Sequence, residues 1–307
     1  VQSTYIVSKK KEKGEQFHMI LGVDIGSFAT KTSKGCYFES RCSNVGNFLD
    51  NSYNFSLNGQ NYYTEQGMFD TEYRKIKREN YLKFLFAALA ISKSDIKVDM
   101  VLGLPISQFK NDKDELIRFI KDNYHLKGSM QGKTLEYYIT GIEIYPEAIG
   151  TVPQDYEGII VDIGGRTTDV CMISKGREGK KKINNAISLN SGTIELYSNF
   201  INIINARYSL DLKFCDAERI LRNGLKIEGE RIDIGFAKEV FKNFIQELIK
   251  QLNLEYSLKS NDVTFTGGGS ELLEGLIKKN IKNATILSNS IYANAEAFEK
   301  VGREIWL

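Results

Sequence analysis

What this chain of 307 residues has little of narrows its chemistry first. It holds two histidines, His18 and His125, and four cysteines, Cys36, Cys42, Cys171 and Cys215, with no C-x-x-C pair. Thiolates and imidazoles at ligand spacing are therefore missing, which argues against a structural zinc site. Scattered cysteines without a framework read as reduced thiols of a cytoplasmic protein. Cys171, inside an apolar strand, reads as packing. Long apolar runs are missing too. The densest, residues 84–91, falls far short of the roughly 20 residues a membrane helix needs. No direct membrane contact is expected, and no secretory apolar region stands near the start. An excess of one charge is also lacking, since the formal net charge is +2. All of that excess lies in residues 1–18, where Lys9, Lys10, Lys11 and Lys13 outnumber Glu12 and Glu15. The body of the chain is thus no evident polyanion binder. Residues 1–18 read as a basic, disordered extension ahead of Met19.

What is present reads as a globular α/β protein. Hydrophobic residues make up 42% and charged residues 26%, and the length allows two ordinary domains. Two glycine turns about 140 residues apart carry the most information. The first is Ile20-Leu21-Gly22-Val23-Asp24-Ile25-Gly26-Ser27-Phe28-Ala29-Thr30-Lys31. The second is Ile159-Ile160-Val161-Asp162-Ile163-Gly164-Gly165-Arg166-Thr167-Thr168-Asp169-Val170. Each is an apolar strand ending in Asp, then a tight turn, then a strand leading away. Glycine lets the backbone approach a ligand closely. Consecutive free N–H groups in such a turn form a concave anion site. An Asp just ahead of the turn can hold the water shell of a metal ion. One such turn joins ordinary hairpins; two suggest half-domains facing one polyphosphate across a cleft. A third run, Thr264-Phe265-Thr266-Gly267-Gly268-Gly269-Ser270, offers a glycine floor for a flat base and sugar.

Periodicity fills in the rest. Short strands are expected over 20–40, then a polar, asparagine-rich, loop-rich insertion over 41–75. A buried helix is expected over 81–90, a strand over 98–104 closed by Pro105, a helix over 113–123 and a long strand or strand pair over 135–145. Pro146-Glu147-Ala148 reads as the start of a short connecting helix. The second half repeats the plan. Strands are expected near 158–174, 183–189, 262–266 and 284–287, with a basic turn over 175–182. Helices are expected near 192–206, 215–223 with Asp216 as N-cap, 236–254, 271–279 and 291–305.

With these motifs in this order, the chain resembles the actin-like ATPases, from Met19 to its end. The two Asp-x-Gly turns are similar to that superfamily's phosphate motifs, and residues 266–270 to its adenosine motif. Within it, the chain most resembles the ParM-type plasmid-segregating bacterial actins. The segments that carry this are Leu189-Asn190-Ser191-Gly192-Thr193-Ile194-Glu195, Tyr145-Pro146-Glu147 and the closing run from Ala293 to Gly302. The resemblance implies a duplicated, ribonuclease H-like α/β fold with two lobes around a nucleotide cleft. Lobe I would comprise 19–152 and 291–307, with the insertion at 41–75. Lobe II would comprise 153–290, with a smaller subdomain at 193–260.

The resemblance also implies roles. Asp24 and Asp162 would hold Mg²⁺ through water. Gly26, Ser27, Lys31, Gly164, Gly165 and Thr167 would cradle the phosphates of ATP or ADP, with GTP an alternative. Glu147 would orient or deprotonate the attacking water, and Asp162 would share the catalytic centre. Gly267, Gly268 and Gly269 would line the adenosine, and Glu218 the ribose. Arg166 departs from the smaller residues common at that place in the superfamily; it would neutralise the γ-phosphate or turn away as a surface contact. The implied activity is ATP hydrolysis coupled to dynamic filaments that segregate a plasmid or other DNA. The implied partners are further copies of the chain and a DNA-binding adaptor protein. The competing reading is a small-molecule kinase or phosphatase on the same fold; against it, no second-substrate motif is evident.

Overall fold

The computed structural model describes residues 19–46, 52–176 and 181–307. The basic segment 1–18 and the middle of the 175–182 turn lie outside the described residues. The first half builds one mixed sheet. It runs β1 (Met19–Ile25), β2 (Ala29–Thr32), β3 (Tyr37–Glu39), β4 (Arg41–Ser43), β5 (Asn54–Leu57) and β6 (Gln60–Phe69). After α1 (Tyr81–Ile91) come β7 (Lys97–Leu104), α2 (Ile106–Asp122), β8 (His125–Met130) and β9 (Lys133–Pro146). The strand order is β3-β2-β1-β7-β9-β8-β5-β6-β4. β1, β7 and β9 run parallel at its centre. Strands covered on both faces need apolar residues on both sides, and β1 and β7 are buried over nearly their whole length.

The second half builds a smaller sheet on the same plan. Its strands are β10 (Gly158–Ile163), β11 (Thr168–Lys175) and β12 (Lys181–Leu189), followed by α3 (Thr193–Tyr208) and α4 (Asp216–Asn223). A small hairpin, β13 (Leu225–Ile227) with β14 (Glu230–Ile232), precedes α5 (Gly235–Glu255). Then follow β15 (Val263–Thr266), α6 (Gly268–Leu272), α7 (Glu274–Asn280), β16 (Ala284–Ile286) and α8 (Ala293–Trp306). The order is β12-β11-β10-β15-β16. β10 meets β11 antiparallel and β15 parallel, as β1 meets β2 antiparallel and β7 parallel. The five-strand unit β3-β2-β1-β7-β9 is thus repeated, which is the duplication expected from the two turns.

Each sheet has its own core. In the first lobe α1, apolar nearly all round, packs with β1, β7 and Phe38, Phe55 and Leu116. In the second, α3 and α5 pack through Phe200, Phe241 and Ile245 onto Phe265 and Val161. The last helix returns to the first lobe. α8 lies on β1 at Gly22, where an added Cβ would stand 1.9 Å from the carbonyl oxygen of Ala295. Only a residue without a side chain lets helix and strand approach so closely.

Several expectations change. The described part of 41–75 is mostly strand: Phe55 and Leu57 alternate inward, and β5 pairs with β8 to extend the first sheet. Polar composition masked that alternation. α2 starts at Ile106, directly after Pro105, because proline fits just ahead of a helix. Glu147 is not on a helix. Leu104 pairs with Pro146, so the β7–β9 ladder runs up to Glu147. Ala148 then takes φ 66°, and one 3-10 turn follows at Ile149–Thr151. A proline suits a strand end as well as a helix start. Asp216 does not cap α4; its carboxylate accepts the N–H of Lys213 at 2.9 Å. The helix expected over 271–279 is two short ones, broken at Leu273.

Candidate functional site

The two glycine turns are geometrically equivalent. Gly26 donates to the carbonyl of Ala29 at 3.1 Å, and Gly164 to that of Thr167 at 2.9 Å. Asp24 pairs across its hairpin with Lys31, and Asp162 across its own with Asp169. In both turns the next two amides, of Ser27 and Phe28 and of Gly165 and Arg166, have no acceptor among the described residues. These residues are half-buried at the cleft wall, so each turn presents a pair of N–H groups to whatever occupies the cleft.

Both turns open on one cleft of about 1040 Å³, counting its mouth, a size that suits a nucleotide. Asp24, Gly26, Ser27, Lys31, Glu147, Asp162, Gly164, Gly165, Thr167, Glu218, Gly267, Gly268 and Gly269 all line it. The structure therefore brings together every residue singled out from the sequence. The glycine floor depends on Gly267, which takes φ +83° and would carry a Cβ 2.3 Å from Asp162 Oδ1. At the mouth, Phe28 and Phe69 of the first lobe meet Phe214 and Tyr197 of the second, with ring centroids 5.2–6.1 Å apart. Tyr197 also donates to Glu218 at 3.4 Å.

The electrostatics centre on a buried ion cluster. Lys31 Nζ lies 2.9 Å from Asp24 Oδ2. Lys75 Nζ lies 3.4 Å from Asp24 Oδ1 and bonds Glu147 Oε1. Burial would raise Asp24, but Lys31 and Lys75 outweigh it and hold its carboxyl at about 2. Burial raises Glu147 above the ordinary glutamate value, although Lys75 opposes this. Burial likewise pushes Asp162 and Asp169 up to about 6. Asn294 of α8 donates to Asp162 Oδ2 at 3.0 Å and accepts the N–H of Ala148 at 2.8 Å. One side chain thus ties the last helix to the Glu147 turn and to the second lobe.

Lys75, Arg78, Asp169 and Asn294 were not picked out in the sequence. The run Arg74-Lys75-Ile76-Lys77-Arg78 looks like a solvated basic face. Asn294 sits within the closing run already noted, but nothing local marks it. Asp169 did have a signal: it follows Asp162 by the same seven residues that separate Lys31 from Asp24.

A polyphosphate with a hydrated divalent ion fits these residues. The paired free amides offer anion cradles. Asp169 Oδ1 and Thr266 Oγ1 are buried without a partner among the described residues. No cluster of three or more metal-ligating side chains occurs among the described residues.

Two lobes built on a repeated sheet, with equivalent glycine turns facing one cleft, define a class of phosphate-binding α/β proteins. The chain belongs to the actin-like superfamily within that class. The family of actin-like proteins' N-terminal domains matches residues 22–150, and that of the archaeal actin homologue MreB-like C-terminal domain matches 160–279. Among solved structures, it is similar to a 15-stranded ParM filament from Clostridium botulinum (17% identity, 94% of this chain and 100% of that one, TM-score 0.77). It is also similar to an archaeal actin homologue, Ta0583, in complex with ADP (18%, 93% and 99%, TM-score 0.74). A third is the Alp12 filament (22%, 94% and 99%, TM-score 0.65). At these identities the likeness concerns the fold. No curated protein sequence matches the chain significantly.

Proposed function

We propose that this chain is an actin-like ATPase that polymerises with nucleotide into dynamic filaments and segregates a plasmid or other DNA in the cytoplasm. The observation that carries the nucleotide part is the convergence of both glycine turns, the Asp24–Lys31 pair and Glu147 on one cleft. The filament part is supported by the likeness to the ParM and Alp12 structures, both of which are filaments. A head-to-tail contact that does not close generates such polymers.

In this reading the phosphates lie between the amides of Ser27, Phe28, Gly165 and Arg166, with Lys31 and Thr167 beside them. Asp24 and Asp162 would hold a magnesium ion through water, and that ion would supply positive charge against the phosphates. Glu147 faces the terminal phosphate from the end of β9 and orients the attacking water. Its raised proton affinity suits it to take a proton from that water. Gly267, Gly268 and Gly269 lie under the base and sugar, with Glu218 at the ribose. Phosphoryl transfer rests mainly on positioning and electrostatics, which a preformed cluster of this kind supplies. A DNA-binding adaptor would link the filament to its cargo.

The test is sedimentation and negative-stain microscopy of the purified chain with Mg-ATP, Mg-GTP, Mg-ADP or no nucleotide, with phosphate release followed in parallel. Polymer that appears with triphosphate and decays as phosphate accumulates is expected. A chain that stays monomeric at tens of micromolar and instead phosphorylates a small acceptor would replace this reading with a kinase.

A further inference from the structure

Among the described residues four cationic side chains line the cleft, and they divide into two kinds. Lys31 and Lys75 are neutralised by Asp24 and Glu147. Arg78 and Arg166 form no ion pair among the described residues. Arg78 is 7% exposed, yet its partners are neutral: Ser27 Oγ at 2.7 Å and the carbonyls of Ile25 and Glu72 at 3.4 Å. Arg166 donates to the carbonyl of Asp70 at 2.7 Å. A buried guanidinium without a salt-bridge partner is costly. Burial lowers the proton affinity of Arg78; the carboxylates of Glu147 and Asp70 oppose this from beyond bonding distance, and Arg166 across the cleft adds to it.

The chain holds Arg78 there deliberately. Lys75–Lys77 is a 3-10 turn with Arg78 at its end, and at three residues per turn positions 75 and 78 share a face. That face is the cleft. The flanking Arg74 and Lys77 reach the other way, to Asp112 and Glu115 of α2. Gln108 clamps the segment on both sides, accepting the N–H of Lys75 and donating to the carbonyl of Tyr73, each at 3.0 Å. Arg78 thus rests against Ser27 in the first glycine turn. Arg166 belongs to the second, at the position that Phe28 occupies in the first.

We propose that Arg78 and Arg166, one from each lobe, form the subsite for the terminal phosphate of a nucleoside triphosphate, so that the cleft distinguishes triphosphate from diphosphate. This rests on the nucleotide reading above. Each planar guanidinium would exchange neutral acceptors for phosphate oxygens, which form stronger, charge-assisted bonds. The diphosphate keeps the amides and Lys31 but leaves both arginines without a direct anionic partner.

The test is calorimetric titration of the full chain and of Arg166→Ala, Arg78→Gln and the double variant with Mg²⁺ plus either ADP or the non-hydrolysable analogue AMPPNP. Each single variant should lose about tenfold or more in AMPPNP affinity, the scale of a charged hydrogen bond, while ADP affinity stays within about twofold. Equal losses for both nucleotides, or none for either, would overturn the subsite. Gln keeps a donor toward Ser27; if Arg78→Gln nonetheless fails to fold, Arg166→Ala decides alone. A parent chain that binds neither nucleotide would instead sink the nucleotide reading, and the subsite with it.

Discussion

The ammonium of Lys75 bonds the carboxylate of Glu147 inside the cleft, with the Lys75 side chain only 3% exposed. The residue expected to act on water is therefore held by a cation that its own lobe provides. Asp24 lies on the other side of the same ammonium.

Removing that cation should be costly. Lys75→Met leaves Glu147 buried without its counter-charge, and breaking such a pair typically costs about 3–5 kcal/mol. Denaturant melts at neutral pH should show it. A Lys75→Met, Glu147→Leu double variant should recover much of the loss, because neither charge is left behind. A single-variant loss under about 1 kcal/mol would mean that water already screens the pair.

Glu147→Gln should slow phosphate release by about 10²–10⁴-fold, the usual cost of losing a positioned base. Nucleotide affinity should change little, since Lys31 and both glycine turns remain. Filaments of the variant should persist longer than those of the parent. Unchanged phosphate release would take Glu147 out of the chemistry.

Asp169 gives a pH signature. Its folded value of about 6 stands above the ordinary aspartate value of 3.8. The folded chain therefore takes up this proton at higher pH than the unfolded chain does. Stability from this group is gained as pH falls from about 6 towards 4 and lost as pH rises through 6. At pH 7.5 the ligand-free protein carries the full cost of the buried charge. Asp169→Asn should then melt a few degrees higher than the parent at pH 7.5, and the gap should shrink as pH falls through about 6 and close only below the ordinary aspartate value of 3.8. A gap independent of pH would assign the effect to packing.

Two adjacent glycines of the floor should behave differently. Gly267→Ala forces a side chain into positive φ and against Asp162, so it should destabilise the fold. At Gly268 an added Cβ would meet only Ile291 Cγ1 at 3.8 Å, an ordinary contact. Gly268→Ala should therefore fold like the parent, and Gly268→Val should weaken nucleotide binding through bulk over the floor. Melting curves and nucleotide titration separate the two effects; equal melting of the two alanine variants would contradict the geometry.

The fold was legible because the two turns are local. Asp24 and Gly26, and Asp162 and Gly164, announce strand, turn and returning strand within eight residues, and the repeat of that unit implies the duplication. All the residues chosen from those turns and from the glycine floor line one cleft. What stayed hidden depends on distant chain segments. Lys75 becomes a cleft residue only because Gln108, 33 positions away, fixes its backbone. Asn294 meets Asp162 across 132 positions. No periodicity reports such meetings. The setting of Glu147 was misjudged for a different reason: proline ends a strand as readily as it begins a helix, and pairing with Leu104 decides which.

The close seat of α8 on Gly22 has a consequence for synthesis. β1 is the first described strand to leave the ribosome, while the helix that covers it at Ala295 is the last described element. At about 5–20 residues per second, that face of β1 waits on the order of ten seconds or more for its cover. The second sheet, contiguous in sequence, can close meanwhile. The nascent first lobe is thus the part that a chaperone would need to shield, and premature termination before residue 293 would leave a chain with one finished lobe and one sticky sheet.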